Sequence, residues 1–389
     1  MFLLNRVALT SALAFVSSHA HAGFGSCTLA NSTLSVGSDP VGFVRLAVRA
    51  DGRPVLAYTT DVHNNSSLYL YDCANSNCSA GHVVYLDTSS NYYGAPGVRV
   101  RPDGRPLVIA TYFGGIRLYD CADADCGSYS THDIRANASA IFSDIPFALQ
   151  ASGNPVLLYL DSVLGPRPGY LIVHFCSDAT CDAAGAEQIL AMPPPATPMF
   201  SALSLARGSD QTLAAAYLSS VGGSNLNTYN IARCADIACT SVSNTQVAVP
   251  VDDSTPVRTA LAMRSDQRPL ALDSQANHRA WLDCTSSACN AWNDLPLPTI
   301  GQPLGLQLLP GNVPAYALFD SSTVSAVACN DIGCTVGNGV VAGTPTTSIL
   351  DGDFALDQNA RPAVAYIDFD TRALAVAGCT DVVFSNGFE

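Results

Sequence analysis

A chain of 389 residues, 48% hydrophobic and 13% charged, has enough apolar material for a large core and is not a disordered polymer. Its net charge of −14 repels phosphate backbones and argues against a nucleic-acid partner. It contains no lysine, which excludes Schiff-base chemistry and a phosphate-loop lysine, and its only glutamates are Glu187 and Glu389.

At the N-terminus, Arg6 precedes an apolar stretch from Val7 to Val16, and Ala20-His21-Ala22 has the small-x-small pattern of a cleavage site. Residues 1–22 therefore read as a signal peptide, too short to span a bilayer. Export to the periplasm, cell surface or medium follows, and the 14 cysteines suit an oxidising compartment. Residues 23–381 read as a single domain built from repeats, and residues 382–389 as a short tail.

Seven copies of one phrase fill that domain. Copy one runs from Val44 through Asp51-Gly52-Arg53-Pro54 to Tyr58, then from Leu68 to Cys73. Copy two runs from Val98 through Asp103-Gly104-Arg105-Pro106, then from Ile116 to Cys121. The later copies turn at Ser152-Gly153-Asn154-Pro155, Gly208-Ser209-Asp210, Asp266-Gln267-Arg268-Pro269, Pro310-Gly311-Asn312 and Asp357-Gln358-Asn359. Successive first cysteines lie 48, 55, 58, 50, 45 and 50 residues apart, the length of a propeller blade. Each copy reads as four short strands, A to D. A and B flank the Asp-Gly turn, C ends at the first cysteine and D follows the second.

Six copies end in C-x4-C: Cys73/Cys78, Cys121/Cys126, Cys176/Cys181, Cys234/Cys239, Cys284/Cys289 and Cys329/Cys334. Cysteines flanking a short turn can meet disulfide geometry. Zinc is the other reading, although its usual spacing is tighter. The acids and amides two residues after the first cysteine read as turn caps or metal ligands. Copy seven has only Cys379, and Cys27 is left over. The expected fold is an all-β, seven-bladed propeller whose last blade takes Thr28–Val36 as strand D, locked by Cys27–Cys379. Val382–Phe384 competes for that strand position.

The unit Asp-Gly-Arg-Pro, Tyr-x-Asp and C-x4-C resembles the repeats of secreted bacterial propeller proteins, loosely like sialidase and integrin-type propellers. The tail resembles a short Phe-x-Asn-Gly-Phe-Glu-like ending of some exported Gram-negative proteins. The sialidase likeness implies an arginine cluster, and Arg45, Arg99, Arg101, Arg258 and Arg264 fall on or near innermost strands. It also implies a tyrosine–glutamate pair, yet Glu187 falls on an outer strand and the Asp-box is missing. Histidines 63, 82, 132, 174 and 278 occupy unrelated repeat positions, so no Ser-His-Asp set stands out.

No catalytic residue is assigned. The ligand-binding candidates lie on the face shared by D–A and B–C loops: Tyr92, Tyr93, Tyr112 and Phe113 as an aromatic platform, and Asp61, Asp161, Asp320 and Asp368 at the ends of strand B. Turn chemistry is the alternative for the aspartates, and core packing for part of the aromatic set. Asp351 and Asp353 read as a solvated turn or as a calcium site; no other cofactor or metal is implied. The preferred expectation is a monomeric, non-catalytic propeller recognising an extracellular glycan or protein. The alternative is a carbohydrate-active hydrolase or lyase using aspartates.

Overall fold

The computed structural model describes residue 24 and residues 27–380, apart from residues 38, 61–65, 88–93, 113, 139–143, 162–168, 183–184, 192–198, 221–226, 248–258, 276–277 and 298–300. The described residues form 28 strands, β1 to β28 in chain order, in seven four-stranded antiparallel sheets. Each sheet is one blade. The A strands are β2 (Val41–Val48), β6 (Gly97–Val100), β10 (Phe147–Leu149), β14 (Met199–Arg207), β18 (Thr259–Met263), β22 (Gln302–Leu309) and β26 (Ile349–Leu356). The B strands are β3 (Pro54–Thr60), β7 (Pro106–Tyr112), β11 (Pro155–Asp161), β15 (Leu213–Ser220), β19 (Pro269–Gln275), β23 (Val313–Asp320) and β27 (Pro362–Asp368). Strands C include β12 (Tyr170–Phe175), β20 (His278–Cys284) and β28 (Leu374–Thr380). Strands D include β5 (Gly81–Asp87), β9 (Tyr129–Ala138), β13 (Ala186–Ala191) and β17 (Val242–Val247).

Neighbouring A strands touch around a complete ring, from β2 through β6, β10, β14, β18 and β22 to β26 and back to β2. The burial pattern follows from this. β3 and β27 are buried at every position, because both faces of a B strand meet neighbouring blades. β5, on the rim, is mostly exposed. Between blades five and six, Trp281 meets Tyr316 edge-on, with centroids 5.1 Å apart. B-strand tyrosines carry their hydroxyls to strand D of their own blade: Tyr159 donates to Glu187, and Tyr217 accepts from Asn244.

Blade seven closes as the cysteine arithmetic requires. β1 (Thr28–Thr33) pairs antiparallel with β28, from Thr28 opposite Thr380 to Thr33 opposite Ala375. This observed strand is shorter than the expected Thr28–Val36. Cys27 and Cys379 are bonded with Cα atoms 5.3 Å apart. Asn31 donates to the Tyr366 hydroxyl at 2.8 Å, and Ser76 of blade one donates to the Cys379 carbonyl at 2.7 Å. Gly378 lies so close to the Ser76 carbonyl that a Cβ there would collide with blade one. The tail lies outside the described residues.

All six C-x4-C pairs are disulfides: Cys73–Cys78, Cys121–Cys126, Cys176–Cys181, Cys234–Cys239, Cys284–Cys289 and Cys329–Cys334, with Cα separations of 4.7–4.9 Å. None offers a zinc thiolate. His174, Cys176 and Cys181 cluster closely enough to hold a metal, but both sulfurs are already bonded to each other. The capping reading of the hairpin acids is met by Asp123, Asp178, Asp236 and Asp331, each accepting from a backbone N–H four residues on.

The second cysteines carry a backbone feature beyond the sequence reading, which placed them only as flanking a short turn. Cys78, Cys126, Cys181, Cys239, Cys289 and Cys334 all adopt the left-handed backbone conformation, with φ between +52° and +61°. The reason lies in the turn itself. The N–H groups of Cys78, Cys126, Cys239, Cys289 and Cys334 each donate to the carbonyl three residues back, at Asn75, Asp123, Asp236, Ser286 and Asp331. A left-handed residue then turns the chain into strand D. This conformation costs about 1–2 kcal/mol for a residue with a Cβ. It persists because the disulfide fixes the position; all six of these cysteines are also buried, so they are structural residues out of a ligand's reach.

The A–B turns likewise put one residue in the left-handed region, except in copy six, where Gly311 and Asn312 both lie there with φ of +80° and +64°. In copies one to three it is glycine, with φ of +86° at Gly52, +88° at Gly104 and +85° at Gly153. Copies four, five and seven place Gln211, Gln267 and Ala360 there instead, with φ of +70°, +68° and +61°. A side chain in this region costs about 1–2 kcal/mol, while glycine brings an entropic penalty of about 0.5–1 kcal/mol. Ala360→Gly is therefore expected to stabilise by about 0.5 kcal/mol. A guanidinium titration should show a higher midpoint at unchanged slope, and a lower midpoint would contradict the turn assignment.

Buried arginines join successive blades. At the end of strand A in blades one, two and five, Arg49, Arg101 and Arg264 pair with Asp72, Asp120 and Asp283, the residue before the first cysteine. Each then donates to a carbonyl in the next blade's C–D hairpin: Ala124, Ala179 and Ile332 respectively. Blade four reverses the charges, with Arg233 before the cysteine and Asp210 in the turn, 3.6 Å apart.

Candidate functional site

Where the A strands begin, their ends surround a cavity of about 200 Å³ at the axis. Its wall takes residues from all seven blades, including Arg45, Arg99, Phe147, Ser204, Gln307 and Asp353. This is the end of the channel from which the D–A and B–C loops spring.

Charge is concentrated on one side. Arg45, in β2, spans the mouth: Nη2 contacts Asp144 at 2.5 Å, and Nη1 contacts Asp351 at 2.9 Å. Asp144 lies just ahead of β10, so one side chain links blades seven, one and three. Burial works to lower the Arg45 pKa, but Asp351, Asp144 and Asp353 outweigh it and hold the guanidinium firmly charged. Asp144 keeps a side-chain exposure of 39%, with Oδ1 accepting from Ala95 N at 3.1 Å. Arg99, in β6, donates to the Val98 carbonyl at 2.8 Å and lies over the Phe147 ring, 5.4 Å from its centroid.

Asp351 and Asp353 are not in a solvated turn. They lie within β26. Alternate residues of a strand share a face, and both carboxylates reach the neighbouring β2. Asp351 Oδ2 accepts from Val44 N, and Asp353 Oδ2 from Leu46 N, both at 2.8 Å. The pair thus ties blade seven to blade one with its own hydrogen bonds. Asp353 also accepts from Phe354 N at 2.8 Å. Burial nevertheless pushes its carboxyl above the ordinary aspartate range, against the pull of Arg45 and these N–H donors.

Two aromatic side chains stand exposed on this face. Phe43, two residues ahead of Arg45 in β2, is 38% exposed, and Phe369, just after β27, is 46% exposed. Arg372 lies over the Phe369 ring at 5.4 Å, and its carbonyl accepts from Val41 N, which sets this turn beside the start of β2.

The sequence candidates meet different fates. Tyr92, Tyr93, Phe113 and Asp61 lie outside the described residues, as do Arg258 and His63. Tyr112 is half-buried at the end of β7, with the Arg117 guanidinium 4.3 Å from its ring centroid. Asp161 is taken by Arg135 of blade two at 2.8 Å. Asp320 is exposed at the end of β23. Asp368, at the end of β27, caps a turn. It is buried and accepts from Thr346, Asp370 and Thr371, and although burial opposes them these donors lower its pKa to about 2. Arg101 and Arg264 belong to the inter-blade pairs rather than the cavity.

Glu187 does have a tyrosine partner, since Tyr159 donates to it at 2.6 Å and Arg135 at 2.8 Å. That pair sits across β11 and β13, away from the innermost strands. Ser130, His132 and Asp182 form a hydrogen-bonded chain of 2.8 and 2.6 Å, but Ser130 and His132 lie on β9, an outermost strand. The sequence reading missed Phe43 and Asp144. Phe43 has no aromatic counterpart in the other copies, but repetition did carry a signal for Asp144: aligning Asp144-Ile145-Pro146-Phe147-Ala148-Leu149 with Asp351-Gly352-Asp353-Phe354-Ala355-Leu356 sets Asp144 at the repeat position of Asp351.

No family model matches the chain, and no curated protein matches it. Solved structures do resemble it. An ulvan lyase of polysaccharide lyase family PL25, bound to -[GlcA(1-4)Rha3S]-, superposes with a TM-score of 0.56 at 10% identity, covering 89% of this chain and 96% of its own. The GH93 α-L-arabinofuranosidase of Fusarium graminearum, in complex with arabinobiose, gives 0.53 at 9% identity, covering 90% and 97%. A protein of unknown function from Dyadobacter fermentans gives 0.53 at 11% identity, covering 90% and 98%. At these identities the likeness establishes the seven-bladed propeller fold and nothing finer.

Proposed function

We propose that this protein is an exported, carbohydrate-active propeller of the hydrolase or lyase class, with its substrate lying across the D–A mouth of the channel. The observation that carries this reading is the Arg45–Asp144 pair in a cavity walled by all seven blades, beside a second carboxylate in a different environment. Asp144 is half-exposed and paired with Arg45. Asp353 is pushed up by burial. Carboxylates in such unlike environments are suited to divide base and acid roles. Phe43 and Phe369 supply faces on which sugar rings stack. The solved carbohydrate-processing propellers support the class, and the seven disulfides support an oxidising compartment.

The test is a panel of plant, algal and bacterial polysaccharides, read by reducing ends and by absorbance of unsaturated uronates. The wild type is expected to release products from at least one, and Asp144→Asn to lower kcat/KM by roughly 100-fold or more. Turnover indifferent to that change would remove Asp144 from the chemistry. One observation favours recognition without turnover: Asp144, Asp351 and Asp353 all accept backbone N–H groups of a neighbouring blade, so each carboxylate also serves as an inter-blade tie. Under that reading a glycan binds, no product forms, and Asp144→Asn affects affinity alone.

A further inference from the structure

We propose that the cavity takes an acidic sugar of the glycan, with the Arg99 guanidinium receiving its oxyanion: a uronate carboxylate or a sulfate ester. This rests on the carbohydrate reading above and narrows its substrate class.

Among the described residues, Arg99 is the cavity arginine without a carboxylate partner. Arg45 has Asp144 and Asp351, and the buried arginines of the inter-blade pairs each have an aspartate. Among the described residues, no carboxylate lies within ion-pair distance of Arg99. Its hydrogen bond goes to the neighbouring Val98 carbonyl, from Nη1. A guanidinium has five N–H donors in a planar fork, so one bond among the described residues leaves capacity for a ligand. Contact with the Phe147 ring orients that plane. A fixed, flat donor fork suits the paired oxygens of a carboxylate or sulfate better than a lone hydroxyl.

Electrostatics lean the same way. Burial holds the Arg99 pKa below the ordinary arginine value against the pull of Asp353, and the smaller like-charge effect of Arg45 adds to it. An arriving anion relieves both costs. Size limits what enters. About 200 Å³ is below the roughly 300–1,000 Å³ of drug-sized ligand sites, which suits one sugar unit while the rest of the glycan lies outside over Phe43.

The test uses oligosaccharides bearing galacturonate, glucuronate or sulfated galactose, each beside its carboxyl-reduced or desulfated partner. Binding is followed by calorimetry and turnover by product release. At least one acidic form is expected to bind ten-fold or more tighter than its neutral partner, and the arm in which it does so separates uronate from sulfate. Arg99→Gln should abolish that difference, and Arg99→Lys should restore part of it. Arg207→Gln, which removes an equal charge from the A–B end of β14, should leave it intact. If Arg99→Gln fails to fold, the wild-type comparison of acidic and neutral partners still decides. Equal handling of acidic and neutral partners would overturn the proposal while leaving the carbohydrate reading in place. Failure to bind or cut any glycan would overturn both.

Discussion

Removing the closing disulfide by Cys27→Ala/Cys379→Ala is expected to cost more stability than opening any hairpin disulfide. In the chain-entropy model a crosslink contributes according to the loop it closes. The closing bond spans 352 residues and each hairpin bond spans 5. The model gives on the order of 5 kcal/mol for the first and about 2 kcal/mol for the second. The larger loss also has a structural consequence. Without the bond, β1 is held by its ladder to β28 and a few side chains, and its departure bares the edge of β28. Guanidinium unfolding of this variant and of Cys73→Ala/Cys78→Ala compares the two directly. A larger midpoint shift for the closing pair, with aggregation on partial unfolding, is the expected result. Equal shifts would mean that the ring holds without its covalent lock.

The second large effect comes from the inter-blade ion pairs. Asp283→Ala strands the Arg264 guanidinium, whose side chain is 1% exposed. Breaking one side of a buried pair costs about 3–5 kcal/mol, because the remaining charge has neither water nor a counter-charge. Replacing both members with apolar groups removes that penalty. The double variant Arg264→Met/Asp283→Leu is therefore expected to recover most of the loss, although it gives up the bond to the Ile332 carbonyl of blade six. Urea midpoints of the three proteins decide the matter. A single variant costing less than about 1 kcal/mol, or a double variant worse than the single, would contradict a buried, desolvated pair.

The fold was legible because its determinants are local and repeated. Asp-Gly turns, strands opening at Pro54, Pro106 and Pro155, and C-x4-C hairpins each specify backbone geometry within a few residues, and seven copies average out the exceptions. Cys27 and Cys379 were paired by elimination across the whole chain, and the structure bonds them. The left-handed backbone at the second cysteine of each hairpin was not legible, because cysteine carries no preference for that region and only the closed hairpin imposes it. The candidate site was legible only in part, because its contacts cross between copies that stand on different blades. Arg45 meets Asp144 and Asp351, 99 and 306 residues away. Asp351 and Asp353 resemble a turn when read alone; only the neighbouring β2 makes them an inter-blade tie. Asp368 followed the turn-chemistry alternative, since six residues after its strand's proline the chain must reverse. Arg99 reads as an innermost-strand residue from its copy alone, but that no carboxylate among the described residues pairs with it became visible only in three dimensions.

The central claim is that the D–A mouth of the channel is where a sugar binds. A crystal structure of the protein with an oligosaccharide selected from the polysaccharide panel tests it most directly. The account predicts a sugar unit against Arg99 and Asp144, with the chain running over Phe43. Sugar bound instead at the A–B turns or along the outer strands, with the cavity around Arg99 untouched, would contradict it.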